Sequence, residues 1–137
     1  MTLTVLTPIY NDWAALTRLI GDVDRQLASR GRTAAILIVD DGSSEAPPKF
    51  DTFTVSALTA IEVLHLRRNL GHQRAIAIGL AHVEADSNPD AVVIMDGDGE
   101  DRPEDVNRLI DTLEAHGCSR VVFAERTRRS EGAVFAA

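Results

Sequence analysis

The chain has 137 residues, a hydrophobic fraction of 45% and a formal net charge of −7 at pH 7, which is typical of one globular domain with a substantial core. The acidic balance argues against nucleic-acid binding, which favours basic surfaces. A single cysteine, Cys118, excludes an internal disulfide and fits a reducing cytoplasm. The N-terminus carries no secretory signal pattern, and no apolar run approaches the roughly 20 residues of a membrane span.

Strand and helix patterns alternate along the chain. Largely apolar segments predict five strands, over residues 3–7 (ended by Pro8), 35–39, 61–66, 91–96 and 120–124. Helical periodicity or turn signals predict three helices, over residues 13–30, 71–85 and 103–116. Asn11 or Asp12 is suited to cap the first helix, and Gly31 follows its end. Residues 44–51 read as a loop, residues 53–60 fit either a helix or a strand, and residues from 125 onward show no clear structure.

This alternation predicts an α/β domain with a mainly parallel sheet that has helices on both faces. Polar side chains follow four of the predicted strands, and in a parallel sheet the ends of those strands meet along one edge. The segments concerned are Thr7-Pro8, Asp40-Asp41, Arg68-Asn69 and Asp96-Gly97-Asp98. Their convergence is stronger evidence for a binding site than any one of them.

The acidic segment after the fourth predicted strand suggests a metal site. Asp96 and Asp98 form an Asp-X-Asp motif, and Glu100 and Asp101 follow closely. Carboxylates packed this densely repel one another unless a cation or protons neutralise them. Hard oxygen ligands suit Mg²⁺ or Mn²⁺, which are commonly shared with substrate phosphates. The pattern therefore indicates a metal-held diphosphate.

Four segments in this order resemble the nucleotide-binding half of the family 2 glycosyltransferases of the A fold, whose architecture is Rossmann-like. They are Thr7-Pro8-Ile9-Tyr10-Asn11, Val39-Asp40-Asp41-Gly42-Ser43, Asn69-Leu70-Gly71-His72-Gln73-Arg74-Ala75 and Met95-Asp96-Gly97-Asp98. Residues 69–75 and 96–104 most resemble the polyisoprenyl-phosphate branch. The resemblance implies inverting transfer of a sugar from a UDP- or GDP-linked donor to a lipid phosphate, as in cell-envelope polysaccharide synthesis. Glu100 departs from the Gln usual in that branch.

The resemblance also implies roles for individual residues. Asp40 would read the nucleobase, Asp41 would approach the ribose or base edge, and the backbone of Thr7-Pro8 with Tyr10 would line the base pocket. For the first two, a simple Asp-Gly turn is an equally good local explanation.

Phosphate contacts are expected from Arg68 and from the helix that Gly71 introduces, since helix N-termini attract anions; Arg67-Arg68 could equally be a solvated pair. Asp98 would bind the metal most directly, with Asp96 and Glu100 assisting and Gly97 completing the nucleotide site.

An arginine cluster after the fifth predicted strand would receive the acceptor phosphate. It consists of Arg126, Arg128 and Arg129. The alternative interpretation of these residues is a solvated basic tail. A phosphate acceptor is already ionised and needs no general base, whereas a sugar hydroxyl needs one, for which Asp101 is a weak candidate.

Enzymes of the resembled branch continue into interfacial and membrane segments, so residues 1–137 are expected to be a donor-binding domain incomplete at its C-terminus. A full-length form would work at the cytoplasmic face of the inner membrane, through segments absent here. Two alternatives remain open, a receiver-type signalling domain and a non-catalytic nucleotide-binding module. A receiver domain needs a lysine after its last strand, and Lys49, the only lysine of this chain, does not lie there.

Overall fold

A computed structural model describes residues 2–96, 102–117, 120–124 and 132–136. The elements are β1 (Leu3–Ile9), α1 (Trp13–Ser29), β2 (Ala34–Asp40), a 3₁₀ turn (Phe50–Thr52), β3 (Leu58–His65), α2 (His72–Asp86), β4 (Ala91–Ile94), α3 (Asp105–Ala115), β5 (Arg120–Ala124) and β6 (Gly132–Ala136). In the described part of the chain, no helix is long and apolar enough to cross a membrane.

The described strands form one sheet in the order β3-β2-β1-β4-β5-β6. The first five are mutually parallel, and β6 runs antiparallel to β5. The chain winds outward from β1 in one direction to β3 and then crosses to β4 on the other side, so the topological switch point lies between β1 and β4. This order confirms the α/β prediction and differs from the 2-1-3-4-5 order of receiver domains, so the receiver alternative is wrong.

Helices cover both faces of the sheet, as predicted. On one face, β1 contributes Val5 to a core shared with Leu16 of α1 and Ile110 of α3. On the other face, Leu6 packs in a second core with Ala75 of α2. Each face of β1 is therefore buried, which explains why apolar residues occur on both of its faces rather than at alternate positions only.

The contact between α2 and the sheet is unusually close at Gly79. A Cβ atom there would lie 2.6 Å from Cδ1 of Leu6 and 2.8 Å from Cγ2 of Val39. Only glycine fits without moving these buried side chains, so Gly79 sets the distance between α2 and strands β1 and β2.

Pro8 does not end the first strand, contrary to the sequence prediction. Met95 N–H donates to the Leu6 carbonyl, whereas Asp41 N–H donates to the Ile9 carbonyl. The backbone N–H and C=O groups of even-numbered residues of β1 therefore point toward β4, and those of odd-numbered residues point toward β2. Register pairing with β4 stops at Leu6. The missing N–H of Pro8 therefore costs no ladder bond, and β1 continues to Ile9 along β2.

Two further segments differ from the predictions. The ambiguous residues 53–60 contain the start of β3 at Leu58, after the 3₁₀ turn. The tail from residue 125 onward, predicted to lack clear structure, contains β6, whose Val134 pairs with Val122 of β5. The non-local pairing with β5 defines this strand, and no alternation in its own sequence signals it.

Candidate functional site

A cleft of about 480 Å³ opens at the carboxyl edge of the sheet, where β1 and β4 separate. Segments after β1, β2 and β4 form its wall, together with the loop that leads into α2. The lining residues are Pro8, Ile9, Tyr10, Asp12, Asp41, Asn69, Gly71, His72 and Asp96. The convergence of the strand ends at one edge, predicted from the sequence, is thus present in the structure.

Asp41 builds one side of this cleft. Its side chain is buried, and its two carboxylate oxygens accept hydrogen bonds from Leu70 N–H at 2.7 Å and Gly71 N–H at 3.1 Å. Its carbonyl accepts a further bond from the side-chain amide of Asn69 at 3.2 Å. The residue after β2 therefore holds in place the loop that starts α2.

The N-terminus of α2 lies in the cleft wall. Gly71 precedes the helix with φ +99°, a conformation that favours glycine. Ala75 N–H is bonded back to the Gly71 carbonyl, so the N–H groups of the preceding first turn have no helical acceptor. No described side chain caps this end. Because Gly71 and His72 line the cleft, the positive end of the helix dipole faces the cleft, an arrangement that favours anions.

Asp40 is placed differently from its neighbour. It is the last residue of β2, its side chain is only 7% exposed, and it is not among the residues that line the cleft. One oxygen accepts from Ser43 N–H at 2.9 Å, and the other lies 2.7 Å from Nδ1 of His65. Each carboxylate oxygen has a second lone pair. A contact between Asp40 and a nucleoside therefore stays a prediction, and it would use the second lone pair of an oxygen that already has one partner.

Asn11 joins the loops after β1 and β2, a role that the sequence analysis missed by treating it as a possible cap. Its side-chain oxygen accepts from Ser44 N–H at 2.8 Å and Glu45 N–H at 3.0 Å, and its own N–H donates to the Ser43 hydroxyl at 2.8 Å. Asp12 is the actual cap of α1, through Ala15 N–H. The Asn in the Tyr-Asn-Asp sequence was the only signal for this contact.

Gly42 lets two loops meet behind the cleft. It has φ +74°, and a Cβ atom there would lie 2.4 Å from the carbonyl carbon of Arg68 and 2.5 Å from the backbone nitrogen of Asn69. The loop after β2 and the loop before α2 are therefore in backbone contact. This contact and the Asp41 bonds fix the same two segments.

The remaining predicted site residues fall into three groups. Tyr10, Pro8, Asp41, Gly71 and Asp96 line the cleft. Thr7 and Arg68 are not among its lining residues: Thr7 is fully buried, with a hydroxyl that has no partner among the described residues, and Arg68 is exposed. Gly97, Asp98, Glu100, Asp101, Arg126, Arg128 and Arg129 lie outside the described residues.

The described wall of the cleft is acidic. It contains Asp12, Asp41 and Asp96, and among its described residues there is no lysine or arginine. The first two carboxylates bind N–H groups of the chain itself. Asp96 directly follows Met95 at the end of the β4 segment, so it supplies a carboxylate of the kind that Mg²⁺ and Mn²⁺ prefer. The described part of the cleft thus holds one carboxylate of this kind, that of Asp96.

The motifs, the fold and the cleft agree with the comparison of the sequence with known families. Residues 4–135 match the family model for Glycosyl transferase family 2, and the chain belongs to this family. The family resemblance found in the four sequence segments is confirmed.

The chain is also similar to curated enzymes. It is 32% identical over 109 residues to an undecaprenyl-phosphate 4-deoxy-4-formamido-L-arabinose transferase of Klebsiella pneumoniae (strain 342), covering 79% of this chain and 32% of that protein. The corresponding protein of Salmonella paratyphi B is 31% identical over 115 residues, covering 78% of this chain and 32% of that protein. The chain therefore spans about one third of the length of these relatives.

Proposed function

We propose that this chain holds the donor site of a metal-dependent inverting glycosyltransferase that passes a sugar from a nucleotide diphosphate to a polyisoprenyl phosphate. The observation that carries the proposal is the cleft at the switch point, which combines an exposed aromatic ring, a helix N-terminus and Asp96. The family match supports sugar transfer, and the names of the relatives, which refer to undecaprenyl phosphate, support a lipid-phosphate acceptor.

The nucleoside would lie on the side of the cleft formed by the end of β1. Tyr10 is 52% exposed and is the one exposed large hydrophobic side chain in the described part of the chain. Its ring offers a flat surface for a base, and Pro8 extends the apolar wall. Asp40 and Asp41 would accept from the base or ribose through their remaining lone pairs.

The diphosphate would lie between the start of α2 and Asp96. The helix supplies unbonded N–H groups and a partial positive charge, and Asp96, Asp98 and Glu100 would hold Mg²⁺ or Mn²⁺. When bound, such an ion neutralises the charge that develops on the leaving diphosphate. The carboxylates alone would repel the donor, so they are useful for binding only together with a cation.

The acceptor phosphate would be received by Arg126, Arg128 and Arg129, because guanidinium groups match phosphate geometry. One of its oxygens would attack the anomeric carbon while the bond from that carbon to the diphosphate oxygen breaks. The attacking oxygen of the acceptor phosphate is already ionised near neutral pH, so no side chain has to remove a proton from it. Asp101 would become the base only if the acceptor were a hydroxyl.

Thermal unfolding tests the donor site. UDP or GDP with Mn²⁺ should raise the melting temperature of the 137-residue chain, because ligand binding stabilises the native state. Asp98→Ala should abolish this shift. Asp40→Asn should weaken nucleotide binding and leave its dependence on Mn²⁺ intact. Asp51→Asn, at an exposed acid of the 3₁₀ turn, is the matched control. An equal shift in EDTA would contradict the metal-dependent site.

The acceptor is tested separately with a radiolabelled nucleotide sugar and a short-chain polyprenyl phosphate. The lipid-phosphate acceptor is supported if labelled sugar appears in the organic phase and if Arg126→Ala lowers the amount of this label without changing nucleotide binding. Transfer to a soluble sugar hydroxyl in preference to the lipid phosphate would refute it.

A further inference from the structure

A second group of possible metal ligands lies away from the cleft. Glu62, His82 and Asp86 each place one ligand atom so that all three atoms lie within 4.8 Å of one another. These three residues are called the β3–α2 triad below. The predicted cleft metal uses none of them.

Local structure brings the triad together. His82 and Asp86 are four residues apart on α2, so they lie on the same side of the helix. Glu62 belongs to β3, where it pairs with Leu37 of β2. Leu64, two residues further along β3, packs in the α2-side core, and Glu62 shares its face of the strand because side chains alternate. Nε2 of His82 lies 3.2 Å from a carboxylate oxygen of Glu62.

Among the residues that the structure describes, no lysine or arginine forms an ion pair with the triad. Glu62 and Asp86 carry two negative charges beside one imidazole. In the described part of the structure, the side chain of Asp86 has no hydrogen-bond or ion-pair partner, and the only ion pair of Glu62 is with His82. Two carboxylates held this close favour a bound cation. The side chains are 52% exposed at Glu62 and 31% exposed at His82, so an ion can reach them from solvent.

We propose that the β3–α2 triad binds a divalent transition-metal ion of the Zn²⁺ class through one imidazole nitrogen and two carboxylate oxygens, with water completing the coordination. Imidazole suits Zn²⁺, whereas Mg²⁺ and Ca²⁺ prefer oxygen ligands alone. Ligands of tetrahedral Zn²⁺ at 2.0–2.2 Å lie about 3.4 Å from one another. The triad would close to that spacing by side-chain rotation, which its exposure permits.

The site is separate from the donor cleft. His82 lies ten residues after His72, which lines the cleft, so the two are about 15 Å apart along α2. The triad would join β3, an edge strand of the described sheet, to the far half of α2. A bound ion would then hold the edge of the sheet to the helix whose other end meets the donor.

Calorimetric titration with ZnCl₂ at neutral pH, on tag-free protein without nucleotide, tests the proposal. His82→Gln and Asp86→Asn should each weaken binding at the triad at least about tenfold, since even groups that only support metal ligands contribute 10–100-fold to affinity. His116→Gln is the matched control, because His116 is an exposed histidine at the end of α3. Asp96→Asn reports any zinc bound at the cleft. Circular dichroism melts without metal verify that each variant is folded.

The outcomes separate the possibilities. A zinc equivalent that is retained in His116→Gln and Asp96→Asn but lost in His82→Gln and Asp86→Asn supports the triad. Equal affinity in His82→Gln and the unmodified protein overturns it, as does zinc that is lost only in Asp96→Asn, or the absence of any measurable binding. Nucleotide binding with Mn²⁺ should be unchanged in His82→Gln. If the triad does not bind zinc, the proposal of the donor site is therefore unaffected.

Discussion

Replacing Asp24 by Asn should destabilise the fold although Asp24 lies outside the cleft. Asp24 is a buried carboxylate on α1, 7% exposed. It accepts hydrogen bonds from the backbone N–H groups of Ala57 at 2.8 Å, Leu58 at 2.9 Å and Ser56 at 3.1 Å, and from the Ser56 hydroxyl at 3.4 Å. One side chain thus satisfies the backbone donors at the point where β3 begins.

The expected loss is about 3 kcal/mol. Hydrogen bonds to a charged acceptor contribute roughly 1.5–3 kcal/mol each and neutral ones about 1 kcal/mol. Asn keeps one oxygen for the Ala57 and Leu58 donors, so each of those bonds weakens by about 1 kcal/mol. Its NH₂ group replaces the second oxygen and opposes the Ser56 donors, which removes about one further bond.

The pH dependence follows from the pKa of Asp24. Burial raises this pKa, but the backbone hydrogen bonds from Leu58, Ser56 and Ala57 together lower it more, so it lies below the ordinary value of 3.8. The unfolded chain therefore takes up the proton first as the pH falls. The stabilisation by the charged form is complete well above pH 3.8 and is lost as the pH falls from there through the folded-state pKa.

Urea unfolding followed by circular dichroism, at pH 7 and at pH 3, measures this difference. The stability gap between the unmodified protein and Asp24→Asn should be about 3 kcal/mol at pH 7 and clearly smaller at pH 3. Asp22→Asn, at an acid two residues away on α1 whose side chain is 41% exposed and pairs with Arg25, should change stability by less than about 1 kcal/mol. A gap below about 0.5 kcal/mol at pH 7, or one that does not shrink at pH 3, would refute the reasoning.

Three further substitutions test the architecture of the cleft and its support. Asp41→Asn should release the loop before α2 and destabilise the protein by about 1–3 kcal/mol, while also lowering nucleotide affinity; urea unfolding and nucleotide titration measure the two effects. Gly42→Ala should disturb the same loop, because its Cβ would meet the backbone of Arg68 at 2.4 Å, and a lower melting temperature is the expected result. Gly79→Val should cost about 1–3 kcal/mol through overpacking against Leu6, which chemical denaturation would detect; unchanged stability would mean that α2 can move away from the sheet.

The parallel sheet was predictable because three of its strands, β1, β2 and β4, are buried on both faces. Burial on both faces makes β2 and β4 continuous apolar runs that are followed by aspartates, so their carboxyl ends can be identified in the sequence. β6 was missed because pairing with β5 creates it and no local pattern announces it. Pro8 was misread because the rule that proline ends a strand depends on which neighbour its nitrogen faces, and the sequence does not show that.

Within the site, the sequence identified the segments but not their contacts. Asp40 and Asp41 are adjacent and chemically identical, yet one is the last residue of β2 and bonds to His65, whereas the other lies just beyond the strand and holds Gly71. The contact between Asn11 and Ser44 spans 33 residues. Such bonds depend on which loops the strand order of the sheet brings together. The spacing of residues along the chain does not show which loops these are.

Under the proposed function, the arrangement of the cleft would link metal binding to nucleotide binding. The Asp41 carboxylate holds the start of α2 through hydrogen bonds from Leu70 and Gly71, so the chain itself fixes this helix end. The described wall then offers a diphosphate one attractive element, the helix dipole, against the negative charge of Asp96. A cation at Asp96 would reverse that balance, and linkage requires the effect to be mutual. If UDP or GDP binds more tightly in the presence of Mn²⁺, Mn²⁺ must bind more tightly by the same factor in the presence of that nucleotide, and calorimetric titrations in both orders would show whether the two factors agree.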